Sequence, residues 1–459
     1  MGKGKKNLCI IFAIFILLVP SVIFVNSSTT PSKAKWTVMM YCAFDNHRDL
    51  DTNYTIKSFT DIGSDTNLNI VVLLDERAIS DTRYLYIEKD GVVPLSWPES
   101  ESNTGNPDTL ERFLDLTMAS YPADHYALFV MSAWGSGWQG LGADTAGTDS
   151  SRYLSLITIP DYTNVLKNIT DNGSKKIDLV VYDICVTGSF ETAYEIAPYV
   201  KYMVSTQEHG FDYGEFSDEG KPLWWNYSYF LQQLKDNPDM TPEQFAISMV
   251  DYYVPGTYTN KIFSLIKAPK FYPITKFHTT LSAANLSKVN EISNAVDMLA
   301  SSLKDHLSEI KNEIKSVRSE VREYGKLYRK FWFLPSRIAY PLQLDPLGYD
   351  CFIDLYDFSE KLKNETSVTD IKNACDAVMD AFDGTVIANK AEPTDPSHGF
   401  SIYFPQLRCQ YDQSIWRNIG NKNFRKAPSP YEALSFSKDT SWDEFLKEYL
   451  HIPSIVDEE

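Results

Sequence analysis

The sequence predicts an α/β fold with a mostly parallel sheet that is covered by helices. Short runs that are apolar almost throughout recur along the first half of the chain, which is typical of strands buried on both faces. Helical sequence separates these runs, as in parallel strands joined by crossover helices. The chain has 459 residues, of which 43% are hydrophobic, so it is long enough for one large core with an attached region.

Five apolar runs are predicted to be strands of this sheet. They are Trp36 to Phe44, Leu68 to Leu74, Tyr126 to Met131, Ile177 to Tyr182 and Tyr202 to Thr206. Arg83 to Lys89 is a candidate hairpin arm. Apolar residues at helical spacing predict a helix over Pro107 to Ser120, and a further helix is expected over Ser189 to Ala197.

The sequence changes character after about residue 220. Predicted helices follow at Thr241 to Tyr253, Val289 to Arg329, Asp354 to Leu362, Val368 to Phe382 and Trp442 to Leu450, with a strand at Gly399 to Pro405. The first of these helices opens on the layout of a capping box, with a proline at its first position. We therefore divide the chain into residues 1–30, a core at 31–220, a mainly helical region at 221–395, and a strand and helix at 396–459 that complete the core.

The N-terminus predicts export. Met1 to Lys6 is basic and Leu8 to Val25 is almost wholly apolar, which is the layout of a signal peptide, although the run is also long enough for a single membrane anchor. Both alternatives place the remaining chain outside the cytoplasm, as an extracellular or cell-surface protein. Seven N-x-S/T sequons are consistent with a glycoprotein; they begin at Asn26, Asn53, Asn168, Asn172, Asn226, Asn285 and Asn364.

Charge and cysteine content exclude several classes of function. The formal net charge of −18 argues against nucleic acid as a partner and favours a peptide or protein with basic residues. Five cysteines follow the leader, an odd number that leaves at least one thiol unpaired in an oxidising compartment. No cysteine or histidine spacing fits zinc. No cofactor is predicted. Calcium stays possible, because the acidic residues Asp45, Asp49 and Asp51 could bind it, but they do not have the spacing of a calcium loop.

Three predicted strands end in residues with distinctive chemistry. One runs into Trp134-Gly135-Ser136-Gly137-Trp138, the next ends at Asp183-Ile184-Cys185, and the third is followed by Glu208 and His209. Ligands of parallel sheets bind at the carboxyl ends of the strands, so these segments are expected to meet. A cysteine between a buried strand and a helix is a candidate nucleophile, although a structural cysteine is an equally good interpretation of its position.

At this point the chain resembles the clostripain family of cysteine peptidases, which have a caspase-like fold. The segments WTVMMYCAFDNHRDL, YALFVMSAWGSGW and IDLVVYDICVTGSFETAYEIAPYVKYMVSTQE carry the resemblance, together with GFSIYFP and WDEFLKEYL. The resemblance implies that Cys185 is the nucleophile of an endopeptidase that cleaves after arginine or lysine. It also implies that Asp183, and with less certain placement Asp212, bind the basic side chain, and that Gly135, Ser136 and Gly137 form the oxyanion turn.

The sequence departs from the family at one decisive position. The residue before Gly135 should be the catalytic histidine, and it is Trp134. An indole nitrogen has no lone pair free to accept a proton, so Trp134 cannot act as a general base. The sequence therefore predicts an impaired or inactive peptidase that retains a peptide-binding cleft around Cys185.

Two alternatives remain open from the sequence. His209 follows the strand beside Cys185 and could act as a displaced base in an active endopeptidase, because neighbouring strands lie about 4.8 Å apart. His125 precedes its strand and falls at the wrong end of the sheet. The second alternative is a non-catalytic structural or interaction domain at the cell surface, in which Cys185 is buried or paired.

Overall fold

The computed structural model describes residues 33–132, 135, 137–144, 155–208, 225–259, 276–325, 351–411 and 430–452. Its strands are β1 Ala34–Ala43, β2 Leu68–Asp75, β3 Arg83–Glu88, β4 Gly91–Pro94, β5 Ala123–Ser132, β6 Leu141–Asp144, β7 Ser155–Ile157, β8 Ile177–Asp183, β9 Val200–Ser205, β10 Thr257–Thr259, β11 Lys276–His278, β12 Thr280–Asn285, β13 Glu323–Tyr324, β14 Phe352–Asp354, β15 Val386–Ala391 and β16 Ser401–Tyr403.

Helices flank these strands along the whole described chain. They are α1 Thr52–Thr60, α2 Pro107–Ser120, α3 Ile159–Ile169, α4 Phe190–Ile196, α5 Tyr227–Asp236, α6 Pro242–Tyr252, α7 Val289–Asp305, α8 Leu307–Glu320, α9 Leu355–Glu365, α10 Thr369–Phe382, α11 Ser435–Asp439 and α12 Trp442–Tyr449. Short 3-10 turns occur at His47–Asp51 and Gly137–Gln139.

Nine strands form the central sheet, in the order β15-β12-β9-β8-β5-β1-β2-β3-β4. The five central strands are parallel, since β1 pairs with β2 and β5, and β8 pairs with β5 and β9, all in the parallel sense. The hairpin β3–β4 extends one edge, and β12 and β15 extend the other, in antiparallel pairing. The predicted α/β class with a mostly parallel sheet between helices is thus confirmed.

The two faces of the sheet are packed by different helices. Along β8, Leu179 and Val181 belong to the core that α1, α5 and α6 cover, whereas Val180 and Tyr182 belong to the larger core beneath the remaining helices. This alternation is the period-two geometry of a strand. It explains why the predicted strands are apolar at nearly every position, because both faces of the sheet are buried.

The second half of the chain contributes two strands to the central sheet, although its sequence indicates a mainly helical region. The strands β12 and β15 lie within residues 221–395. At one edge of the sheet β12 pairs with β9, and β15 pairs with β12. The run Gly399 to Pro405 contains β16, which pairs with β14 in a separate three-stranded sheet. A parallel bridge between Ser189 and Ser401 links β16 to the segment that follows Cys185.

Most helix ends lie within one residue of those expected from the sequence, although the helix expected to end at Leu362 runs to Glu365. Thr241 and Gln244 form the expected reciprocal capping box at the start of α6. The single helix expected over Val289 to Arg329 is instead two helices, because His306 ends α7 and begins α8 with φ −108° and ψ 10°. The second helix ends at Glu320, where Val321 takes up an extended conformation.

The described part of the chain contains no helix that is long and apolar enough to cross a membrane. Residues 1–30, which carry the predicted signal peptide or anchor, lie outside the described residues.

Candidate active site

The carboxyl ends of the central parallel strands lie on the same side of the sheet. In the parallel register, Cys42 of β1 lies opposite Met131 of β5, and Met131 lies opposite Asp183 of β8. The residues that follow β5 and β8 therefore leave neighbouring strands at the same level. This arrangement brings Gly135 next to Cys185, as expected for segments that follow the carboxyl ends of parallel strands.

Cys185 differs in accessibility from the other cysteines whose side chains are described. Cys42, Cys351 and Cys375 are buried, whereas Cys185 is only partly buried. Burial raises the pKa of the Cys375 thiol to about 12, and it raises the pKa of Cys42 further, so both remain protonated at neutral pH. Among these thiols, Cys185 has the exposure that a nucleophile needs.

Gly135 brings the turn after β5 into direct contact with the cysteine segment. A Cβ atom added at Gly135 would lie 2.2 Å from Cγ2 of Ile184 and 3.0 Å from the carbonyl oxygen of Cys185. A side chain at this position would therefore collide with the residues it now touches. The close approach requires glycine, and it brings Gly135 itself into contact with Ile184 and Cys185.

Buried aromatic residues pack against Gly137 and Trp138, which follow Gly135 in the same motif. The ring of Trp138 lies edge-on to Tyr403 and Tyr431, with centroids 5.3 and 5.1 Å away. Gly137 has φ +47°, and a Cβ atom there would lie 2.4 Å from the ring of Phe352. The second glycine of the motif is therefore needed for its backbone conformation and for packing against β14.

The segment after Cys185 is a turn held by hydrogen bonds to the chain beyond β9. Val186 N–H donates to the Glu208 carbonyl at 3.0 Å, and Gly188 N–H donates to the Thr206 carbonyl at 2.8 Å. Val186 has φ +55°, which is a strained conformation for a β-branched residue. The expected helix begins only at Phe190, with Ser189 as its N-cap, so Cys185 does not lie at the head of the helix.

Asp183 is engaged within the protein. Its side chain is 1% exposed, and Oδ2 accepts a hydrogen bond from Arg48 Nη2 at 2.8 Å and another from the Tyr227 hydroxyl. Burial and the nearby Asp183 carboxylate raise the pKa of Tyr227 well above its ordinary value, so the phenol keeps the proton that it donates. Asp183 thus joins β8 to the loop after β1 and to the start of α5.

The first helix after the cysteine segment carries a second buried carboxyl group. Glu191 Oε1 accepts from Tyr403 N–H at 2.8 Å and from the Tyr431 hydroxyl at 2.9 Å. Its Oε2 is buried and has no hydrogen-bond partner within the described part of the chain. Burial raises the pKa of Glu191 to about 7. This group connects α4 to β16 and to Tyr431, which also packs on Trp138.

Comparison with known proteins decides the family. The sequence model of the clostripain family matches residues 56–449, which is most of the chain. The chain belongs to the clostripain family. Clostripain from Hathewaya histolytica is 23% identical over 90% of this chain and 85% of its own length.

Solved structures of clostripain-family (C11) proteases share the fold. The inactive zymogen of a C11 protease from Parabacteroides distasonis covers 89% of this chain and 99% of its own, with a TM-score of 0.56 and 16% identity. A secreted C11 cysteine protease from Bacteroides thetaiotaomicron, solved with an irreversible peptide inhibitor, covers 81% and 93%, with a TM-score of 0.54 and 17% identity. The fold assigned from the sequence is therefore that of the clostripain family.

Several residues that the family resemblance singled out lie outside the described residues. They are Trp134, Ser136, His209 and Asp212. The structure does bring Gly135 against Cys185, and it places Asp183 two residues before Cys185 at the end of β8. Gly137 packs against Phe352 of β14. His125 lies near the amino end of β5, with its ring 4.9 Å from Trp36, at the edge of the sheet remote from Cys185.

Two other histidines of the described chain, His278 and His398, lie beside carboxylates. Nδ1 of His278 lies 3.3 Å from Asp395 Oδ2, and Nδ1 of His398 lies 3.1 Å from Asp354 Oδ1. The hydrogen bond and charge of Asp354 outweigh desolvation at His398, so the pKa of this imidazole is raised and its charged form is stabilised. Both contacts lie in the second half of the chain.

A cluster of buried carboxylates could hold a cation near the ends of β1, β2 and β6. One oxygen from each of Asp45, Asp75 and Asp144 lies within 4.8 Å of the others. Burial, with the charges of Asp144 and Glu101, raises the pKa of Asp75 to about 9. Oxygen ligands of this kind suit Ca²⁺. Asp45 belongs to this cluster, whereas Asp51 lies beside Arg48.

The sequence does not predict three further residues of the site, which are Arg48, Tyr227 and Val186. Arg48 is 135 residues from Asp183 in sequence, and β5 lies between their strands, so no strand-pairing rule connects them. The positive φ of Val186 has no sequence signal, because valine rarely adopts it. A polar arginine directly after the first buried strand was the only available indication for Arg48.

Proposed function

We propose that this protein binds peptide or protein segments in a cleft around Cys185 and cleaves them slowly or not at all. One observation carries the proposal: the partly exposed Cys185 lies against the Gly135 turn, and the residue before Gly135 is tryptophan. The family membership supplies the peptidase chemistry that this site would otherwise perform. The net charge of −18 favours partners that carry basic residues.

The chemical argument rests on proton transfer. A cysteine peptidase needs a group that removes the thiol proton and then protonates the leaving amine. The indole of Trp134 can do neither. Loss of a general acid–base group costs roughly 100- to 10,000-fold in rate, whereas binding through the rest of the cleft does not depend on that group.

Two peptidyl electrophiles that differ only in their terminal residue, arginine or norleucine, test this proposal. The expected result is covalent labelling of Cys185 by at least one probe, detected by intact mass, together with little or no turnover of the matching amide substrates. Cys185→Ala is the control and should abolish labelling. Trp134→His should raise turnover by about 100-fold or more if the remaining groups are in place.

Each alternative outcome supports a different function for this protein. Rapid turnover by the unaltered chain, lost in His209→Ala, would establish an active endopeptidase with a displaced base. Absence of labelling by both probes would contradict a peptide-binding cleft at Cys185 and favour a structural surface domain.

We also propose that the protein is exported. The basic and apolar layout of residues 1–25 supports this, and the similar Bacteroides thetaiotaomicron protease is described as secreted. The sequon asparagines that are exposed in the structure are Asn53, Asn168, Asn172 and Asn364. Fractionation of cells that express the full chain, followed by intact mass, distinguishes a cleaved leader from a retained anchor; retention in the cytoplasm would contradict export.

A further inference from the structure

The carboxylate of Asp183 already holds a guanidinium group, which belongs to Arg48. Arg48 Nη2 lies 2.8 Å from Asp183 Oδ2, and the two side chains are 6% and 1% exposed. The Tyr227 hydroxyl donates to the same oxygen. Oδ1 of Asp183 is buried and has no hydrogen-bond partner among the described residues. The carboxylate is therefore neutralised within the chain and closed to solvent.

Arg48 is held in place by its own loop. Its Nε lies 3.1 Å from Asp51 Oδ2, although without hydrogen-bond alignment, and its guanidinium carbon lies 5.3 Å from the centroid of the Phe44 ring. Its backbone N–H donates to the side chain of Asn46 at 3.0 Å. These contacts fix the arginine before any ligand arrives, so little conformational freedom is lost in its pairing with Asp183.

A second cation would be repelled at this position. An arginine or lysine side chain of a peptide that approached Asp183 would lie beside the Arg48 guanidinium in a buried region, where like charges interact strongly. Displacement of Arg48 would instead leave a buried positive charge without its partner, which is strongly unfavourable. An uncharged side chain meets neither obstacle.

We propose that Arg48 occupies the place of a ligand's guanidinium at Asp183, so that the subsite beside Cys185 selects an uncharged side chain rather than a basic one. This inference rests on the proposed function, because it presumes that the cleft binds peptides. Asp183 and Cys185 are two residues apart, so their Cα atoms lie within about 7 Å. The acidic surface elsewhere still favours basic residues at other positions of the peptide.

The test compares binding of two peptide amides, identical except for arginine or norleucine at the terminal position, by calorimetry with the full-length protein. The unaltered chain is expected to bind the norleucine peptide at least as tightly as the arginine peptide. In Arg48→Ala, affinity for the arginine peptide should rise tenfold or more, while affinity for the norleucine peptide changes by less than about threefold. Arg77→Ala is the matched control, since that arginine is 59% exposed, and it should change neither affinity.

A second measurement covers the case in which Arg48→Ala folds poorly. Ethylguanidinium, which can fill the space left by the arginine, should raise the melting temperature of Arg48→Ala by several degrees more than it raises that of the unaltered chain. Ethylammonium at the same concentration should have a smaller effect, because it lacks the planar fork. Equal effects of the two cations would overturn the assignment of this guanidinium site.

The remaining outcomes are also decisive. A preference of the unaltered chain for the arginine peptide, lost in Asp183→Asn, would overturn the inference and leave the peptide-binding cleft intact. A folded Arg48→Ala that gains no affinity for arginine would overturn it as well. If neither peptide binds to either protein, the proposed function fails, and the inference that rests on it fails with it.

Discussion

Val186 donates its backbone N–H to the carbonyl oxygen of Glu208 over 3.0 Å, and it does so with φ +55°. This bond ties the residue after Cys185 to the chain beyond the neighbouring strand β9. The left-handed conformation turns the backbone sharply at this point. The turn, and not the beginning of a helix, therefore sets the position of Cys185.

The strain at Val186 predicts an inverted order of stability for two substitutions. In Val186→Ala the left-handed backbone conformation still destabilises the folded state, because alanine has a Cβ atom. In Val186→Gly that destabilisation is absent. We therefore expect the glycine variant to be about 1 kcal/mol more stable than the alanine variant, measured by urea unfolding. The usual order, with alanine more stable, would show that Val186 is not strained in solution.

The contact between Gly135 and the cysteine segment predicts that one added methyl group at Gly135 destabilises the folded protein. Gly135→Ala would place its Cβ against Ile184 and the Cys185 carbonyl, so we expect a loss of about 1–3 kcal/mol in unfolding free energy. The rate of alkylation of Cys185 should change as well. Gly91→Ala is the control, since nothing lies within 4 Å of its added Cβ, and it should be close to neutral.

Glu191 predicts a specific dependence of stability on pH. Its pKa is about 7 in the folded protein, above the ordinary value of 4.5, because the group is buried. The folded state therefore holds this proton more tightly than the unfolded state, and stability falls as pH rises from about 4.5 to 7, by roughly 3 kcal/mol. Above pH 7 the loss is complete.

Glu191→Gln isolates this effect from other carboxyl groups. The amide oxygen can still accept from Tyr403 N–H and from the Tyr431 hydroxyl. We expect the variant to be more stable than the unaltered chain above pH 7 and the difference to shrink as pH falls toward 4.5. Urea unfolding at several pH values measures it, and a difference that does not vary with pH would contradict the raised pKa.

The unequal burial of the thiols predicts an order of alkylation. In the native protein at neutral pH, iodoacetamide should modify Cys185 well before Cys42 and Cys375, because those two are buried and their pKa values are raised. Peptide mass mapping over time gives the rates. The denatured protein is the control, in which all three should react alike; equal rates in the native protein would contradict the arrangement.

The parallel part of the fold could be predicted because its sequence signals are local and strong. Each central strand is apolar at nearly every position and is buried on both faces, so β1, β2, β5, β8 and β9 appear in the sequence as continuous runs. The edge strands β12 and β15 are poorer in large apolar residues, reading TLSAAN and VIANKA. Pairing with β9 places β12, and pairing with β12 places β15, and both pairings are tertiary effects.

The sequence predicts the part of the candidate site that is formed by motifs directly after the predicted strands. The neighbouring strands β5 and β8 bring Gly135 to Cys185, as the order of the motifs indicates. The ion pair of Arg48 with Asp183 crosses an intervening strand, and it depends on how the loop after β1 folds back over the edge of the sheet. No local sequence pattern predicts this ion pair. The pairing of Asp183 with Arg48 is therefore known only from the three-dimensional structure.

The antiparallel edge strands have a consequence for biosynthesis. The hydrogen-bonding groups of β9 that face away from β8 are satisfied by β12, and those of β12 by β15, which ends at Ala391. A ribosome that adds about 5–20 residues per second needs roughly 10 to 40 s to travel from the end of β9 to the end of β15. Throughout that interval the nascent chain carries an unprotected strand edge, which is the surface that chaperones shield from self-association.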